Sequence, residues 1–81
     1  MTLQGAQLNT LQAIANIQHS TSIDSVEDMQ LVEMLGLDIS LVRNILNNLA
    51  ESGYIRLEKF ETLAGMSYLA SITSLGQDTL A

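Results

Sequence analysis

Residues 37–55, LDISLVRNILNNLAESGYI, leave little freedom to the chain that contains them. Val42, Ile45, Leu46 and Leu49 stand at i, i+3, i+4 and i+7, which places all four on one stripe of a helix. Asp38 suits the cap of that helix, and the spacing predicts that it runs from about Ile39 to Ser52. Gly53 closes it at the left-handed position where a residue without Cβ is least strained. The chain then passes at once into YIRLEKF (54–60), in which Ile55 and Leu57 fall on one face of a strand. A helix with so narrow an apolar stripe, tied directly to a strand, must find other helices and a strand partner to cover both.

The rest of the sequence supplies them. Leu8, Leu11 and Ala15 are at helical spacing with Ile14 beside them and Ile17 at the edge, which predicts a first helix from about 4 to 18. Leu3 precedes Gly5 and lies outside that stripe. HSTSID breaks the helix, and Ile23 is a candidate for a very short strand. Ser25 reads as an N-cap with Asp28 three residues on, and Glu27 and Asp28 suit the positive end of a helix dipole. The second helix is expected from Val26 to Leu35, with Met29, Leu31, Val32 and Leu35 inward, Gly36 stopping it and Leu37 anchoring the turn. Beyond ETLAGM (61–66), SYLASIT (67–73) reads as a second strand with Tyr68, Ala70 and Ile72 on one face. Thr73 suits the cap of a last helical turn. The expected class is mainly α with a small β-hairpin. All 81 residues form one domain, with no proline, repeat or linker to divide them.

Helix, short strand, helix, tight turn, helix and hairpin is the order of a winged helix-turn-helix, three helices plus a wing of two to three strands. LVEMLGLDISLVRNILNNLAESGYI (31–55) resembles the core of winged helix-turn-helix transcriptional regulators, the MarR-like group among them. The shared parts are Leu35-Gly36-Leu37 before the third helix, Leu49 near its end, Gly53, and the pair Tyr54-Ile55 opening the wing, with Tyr54 departing from an aliphatic pattern. ITSLGQDTL (72–80) resembles the segment after their wing. The resemblance spans roughly residues 22–80 and implies a DNA-binding regulator.

Away from the stripe, the third helix carries Ile39, Ser40, Arg43, Asn44, Asn47, Asn48 and Glu51, positions that the resemblance implies face the major groove. Asparagine pairs bidentately with adenine and arginine with guanine, so Ser40, Arg43, Asn44, Asn47 and Asn48 are the candidate base readers. Arg56 and Lys59 in the wing are the candidates for phosphates. These are also the chain's three bases, set against nine acids for a formal charge of −6. No base precedes Arg43, whereas Asp24, Glu27, Asp28, Glu33 and Asp38 do. Residues 43–61 balance at 3 − 3 = 0, because Glu51, Glu58 and Glu61 share that stretch. Three phosphate contacts give a salt slope of at most about −3, or about −5 for a pair of chains.

That thin charge keeps a rival open. ETLAGM at the wing tip has no base and offers Leu63 and Met66, which suit a protein contact made through the wing. The two readings are thus a regulator that binds a DNA duplex and an acidic interaction module that binds a protein and no DNA. The surplus of Leu3, Leu8, Leu11, Ile14 and Ile17 on the first helix and its lead-in predicts a homodimer.

Other classes find no support. With no cysteine and only His19, neither a thiolate nor a multi-histidine metal site is expected, and no cofactor-binding motif is present. His19 suits the negative end of the first helix or plain solvation. Glu27, Asp28 and Glu33 read as a solvated helix face, and Met29 and Met34 as packing residues. Neither a nucleophile elbow nor paired carboxylates of recognisable spacing occur, so no enzyme is expected. No apolar run reaches membrane-spanning length and no basic leader opens the chain, which predicts a cytoplasmic protein.

Overall fold

The computed structural model describes residues 5–81. In chain order these form α1 (Gly5–Thr21), β1 (Val26–Glu27), α2 (Asp28–Leu35), α3 (Ile39–Glu51), β2 (Ile55–Thr62), β3 (Gly65–Ile72) and α4 (Ser74–Leu80). The three strands make one antiparallel sheet in the order β1-β3-β2, with Val26 opposite Ala70 and Ile55 opposite Ile72. The element order is the expected one, and the helices cover the inner face of this small sheet.

Helix α3 buries the four residues of its stripe, Val42, Ile45, Leu46 and Leu49. Against them pack Leu11, Ile14 and Ile17 of α1, Leu31 of α2, Val26 of β1, Ile55 of β2 and Ala70 of β3. Tyr68 and Ile72 join the same face of β3, as their alternation predicts, and Leu57 joins from β2. One polar side chain ties the layers together. Gln18 of α1 donates to the carbonyl of Asp24 at 3.0 Å and accepts from the amide of Ile72 at 2.8 Å.

Local chemistry moves several boundaries from their expected places. Helix α1 continues to Thr21, with the hydroxyls of Ser20 and Thr21 folded back to donate to the carbonyls of Asn16 and Ile17. Its buried centre is Leu11, Ile14 and Ile17, with Thr10 and Ala13, rather than the line through Leu8 and Ala15. The short strand forms at Val26–Glu27, where a fully buried valine pairs with the sheet, while Ile23 is exposed. Glu27, not Ser25, precedes the first turn of α2, and its amide donates to the Gln30 side chain at 3.0 Å. The inward face of α2 narrows to Leu31, flanked by Val32 and Leu35; Met29 and Met34 are about half exposed and do not pack. Glu33 is exposed as expected, but Asp28 is buried.

The hairpin is tighter than its sequence suggests. Strands β2 and β3 pair from Ile55–Ile72 out to Thr62–Gly65, leaving Leu63 and Ala64 as the turn in place of six residues. Thr62 Oγ1 accepts from the amide of Ala64 at 3.2 Å and donates to the carbonyl of Gly65 at 2.8 Å, closing that turn. Thr73 caps helix α4, its hydroxyl accepting from the amide of Gly76 at 3.1 Å, so the expected cap is in place.

Candidate nucleic-acid interface

Burying the stripe of α3 turns its polar residues outward. Ser40, Asn44 and Asn48 are exposed and Asn47 is half-buried. The start of the helix is held by Asp38, whose carboxylate accepts from the amide of Ser40 at 3.1 Å. Among the described residues, the side-chain amides of Asn44, Asn47 and Asn48 make no hydrogen bond, so their donors and acceptors face solvent unspent. The four residues therefore present hydrogen-bonding groups from a rigid helix over about two turns.

Arg43 behaves differently. Its Nε donates to Asp28 Oδ2 at 2.8 Å, and its Nη2 donates to the carbonyl oxygen of Met66 at 2.7 Å. The guanidinium carbon also lies 4.9 Å from the centroid of the Tyr68 ring. The side chain expected beside the asparagines as a base reader is folded back across the start of α2 and the wing. Asp28, expected on a solvated face, is 1% exposed, and its Oδ1 accepts from the amide of Met29 at 2.8 Å. Tyr68 completes the group with Lys59, whose Nζ is 5.1 Å from the same ring. Asp28 and Tyr68 carry no sequence signal of this role. Their partner is 15 residues away in one case and on another element in the other, and alternation marks Tyr68 only as a packing residue.

The wing separates its two bases. Successive side chains of a strand point to opposite faces, so Lys59 shares the face of Ile55 and Leu57, toward α3 and Tyr68, and Arg56 lies on the other. Arg56 pairs with Ser71 and borders a polar recess of about 370 Å³ lined by Ser71, Ile72, Thr73 and Ser74. Glu61 and Met66 are opposite one another on the Lys59 face, while Glu58 is on the Arg56 face. Leu63 at the tip is fully exposed and Met66 is 43% exposed. Thus Lys59 stands near the α3 surface and Arg56 does not.

A separate groove of about 450 Å³ between α1 and α2 is lined by Ile17, Ser20, Thr21, Gln30, Glu33 and Met34. A groove of about 330 Å³ at the end of α1 is lined by Gln18, His19, Ser22, Asp24 and Gln77, among others. Among the described residues, no three of histidine, aspartate and glutamate come together as a metal site would need. No helix there is long and apolar enough to cross a membrane.

Two solved structures are similar to this chain in fold. One is a cysteine-to-serine mutant of MarR from E. coli complexed with operator DNA, with a TM-score of 0.71 and 18% identity over 95% of this chain and 50% of that one. The chain has a winged helix-turn-helix fold. The oxidized form of MarR from E. coli aligns with a TM-score of 0.69 and 21% identity over 95% of this chain and 49% of that one. This winged helix therefore spans about half the length of the solved chains it matches. No protein-family model and no curated protein matches the sequence. In the winged-helix frame α2 and α3 are the helix-turn-helix pair, and β2 and β3 are the wing.

Proposed function

We propose that the protein is a DNA-binding transcriptional regulator of the winged helix-turn-helix type, without catalytic activity and acting in the cytoplasm. The observation that carries this reading is the unspent polar face of α3. Ser40, Asn44, Asn47 and Asn48 stand where a winged helix meets the major groove, on a fold shared with a MarR structure bound to operator DNA. The asparagines read adenine edges, Lys59 meets a phosphate from the wing, and Arg56 reaches one only where the duplex curves past the outer face of the hairpin. Two copies acting together present two such helices to half-sites one helical turn apart. The contact that joins them does not use the buried centre of the α1 stripe, while Leu8 beside it is half-buried. Leu11, Ile14 and Ile17 are consumed by the chain's own core, and Leu3 lies outside the described residues.

A fluorescence titration of the full chain against random duplex at ~50 mM salt tests the reading, because non-specific binding by regulators falls at about 1 to 100 μM even at physiological salt. Binding in that range, weakened by Asn44→Ala and Asn48→Ala on an operator-like duplex, is the expected result. Absence of binding up to about 100 μM overturns it. The exposed tip at Leu63 and Met66 then becomes the surface to test for a protein partner.

A further inference from the structure

Arg43 holds more of the molecule together than any other polar side chain on α3. We infer that it is a positioning residue, a strut that fixes the wing against the recognition helix, and that it does not read a base. The inference deepens the proposed function and rests on it only where DNA is involved.

The three partners of Arg43 lie on two other elements, α2 and β3. Asp28 opens α2, Met66 lies near the start of β3, and Tyr68 follows two residues later. Asp28 is a fixed anchor, buried and held by the Met29 amide as well. Met66 is where a strut is needed. The last fully buried residue along β3 toward the tip is Ala70; Tyr68 is half-buried against the core, and Met66 and Gly65 beyond it are exposed. A two-stranded ribbon without a packed face is marginal in water, so its outer half needs a tie from elsewhere. The planar guanidinium presents donors at fixed angles and can serve a carboxylate and a carbonyl together, which a lysine ammonium cannot match. To turn toward a base, Arg43 would have to release both bonds and leave the Asp28 carboxylate buried without its cation, an unfavourable exchange. Base choice then falls to Ser40, Asn44, Asn47 and Asn48.

Two measurements on the full chain test this. The first is amide hydrogen exchange in wild type, Arg43→Lys and Arg43→Gln. Protection in the wing beyond Leu57 should fall about tenfold or more, the scale of one hydrogen bond from a charged donor, while amides at Leu46 and Leu49 keep theirs. Should Arg43→Gln fail to fold, Arg43→Lys carries the test, since it leaves a cation beside Asp28. The second is titration against duplexes differing at single base pairs. Arg43→Lys should weaken all of them by the same factor and leave their order unchanged. Asp28→Asn should reproduce the loss, and the double variant should be no worse than either single one. Unchanged wing protection in Arg43→Lys, or a loss confined to one base-pair position, overturns the inference. If no duplex binds at all, the regulator reading fails by itself, and the exchange result still decides whether Arg43 is the strut.

Discussion

At Gly76 a single hydrogen atom decides whether α4 can dock. A Cβ built there would lie 2.2 Å from the carbonyl oxygen of Tyr54 and 2.8 Å from the Ile72 side chain. Tyr54 is held in place, because its oxygen accepts from the amide of Thr73 at 3.1 Å, and the Thr73 hydroxyl is shared between that oxygen and the Gly53 carbonyl. Gly76→Ala should therefore destabilise the fold by about 1 to 3 kcal/mol or more in urea melts, although it adds one methyl group to a helix. A change within ~0.5 kcal/mol would show that the approach is not close. Leu49 and Ile45 are buried on the α3 stripe, and truncation of either to alanine should cost about 2 to 5 kcal/mol by the same measurement. These stripe residues are legible in the sequence because helical spacing is a local signal. The Asp28–Arg43 pair is not, since nothing in residues 28–43 distinguishes a buried carboxylate from a solvated one until the wing brings Met66 and Tyr68 alongside. Met29 and Met34 mislead in the opposite sense. They fit the apolar pattern of α2, but an eight-residue helix has room for only one inward row, which Leu31 occupies.

Among the elements, the wing departs furthest from what its sequence suggests. Alternation correctly assigns Ile55 and Leu57 to the core face, and Tyr68, Ala70 and Ile72 with them. The same alternation puts positions 56 and 59 on opposite faces, so reading both bases as one phosphate-binding pair ignores the pleat. The tight turn is hidden because Gly65 alone suggests a loop, whereas the Thr62 hydroxyl bonds that close it depend on the folded geometry. The pleat also ranks the acids of the wing. Glu61 shares the face of Lys59 and Arg43, and Glu58 shares that of Arg56. Neutralising Glu61 to Gln should tighten binding to random duplex by about two- to fivefold, the worth of one exposed charge interaction. Neutralising Glu58 should do less. Equal effects in the titration would mean that both faces of the hairpin meet the duplex.

For the whole molecule, charge and length set the terms. With Arg43 occupied by Asp28 and Met66, two bases remain for phosphates, so the salt slope should be about −2 per chain and about −4 for a pair, read between ~50 and ~200 mM. A slope steeper than about −5 would mean that Arg43 leaves its partners on binding. Sedimentation of the full chain at about 100 μM tests the pairing itself, and monomer alone would remove the two-helix arrangement on DNA. The layout of charge has a kinetic consequence as well. The described chain is 38 Å along its longest axis, and every base of the sequence follows residue 42. At ~10 mM ionic strength the screening length is about 30 Å, so an approaching duplex senses nearly the full charge of the molecule and is repelled. At ~100 mM that length shrinks to about 10 Å, and the duplex senses only the balanced surface of α3 and the wing. Encounter should therefore quicken as salt is first added, the reverse of ordinary electrostatic steering, while the lifetime of the bound state shortens. Stopped-flow association traces at the two ionic strengths would display the two trends separately, and affinity should peak at an intermediate salt concentration rather than at the lowest one.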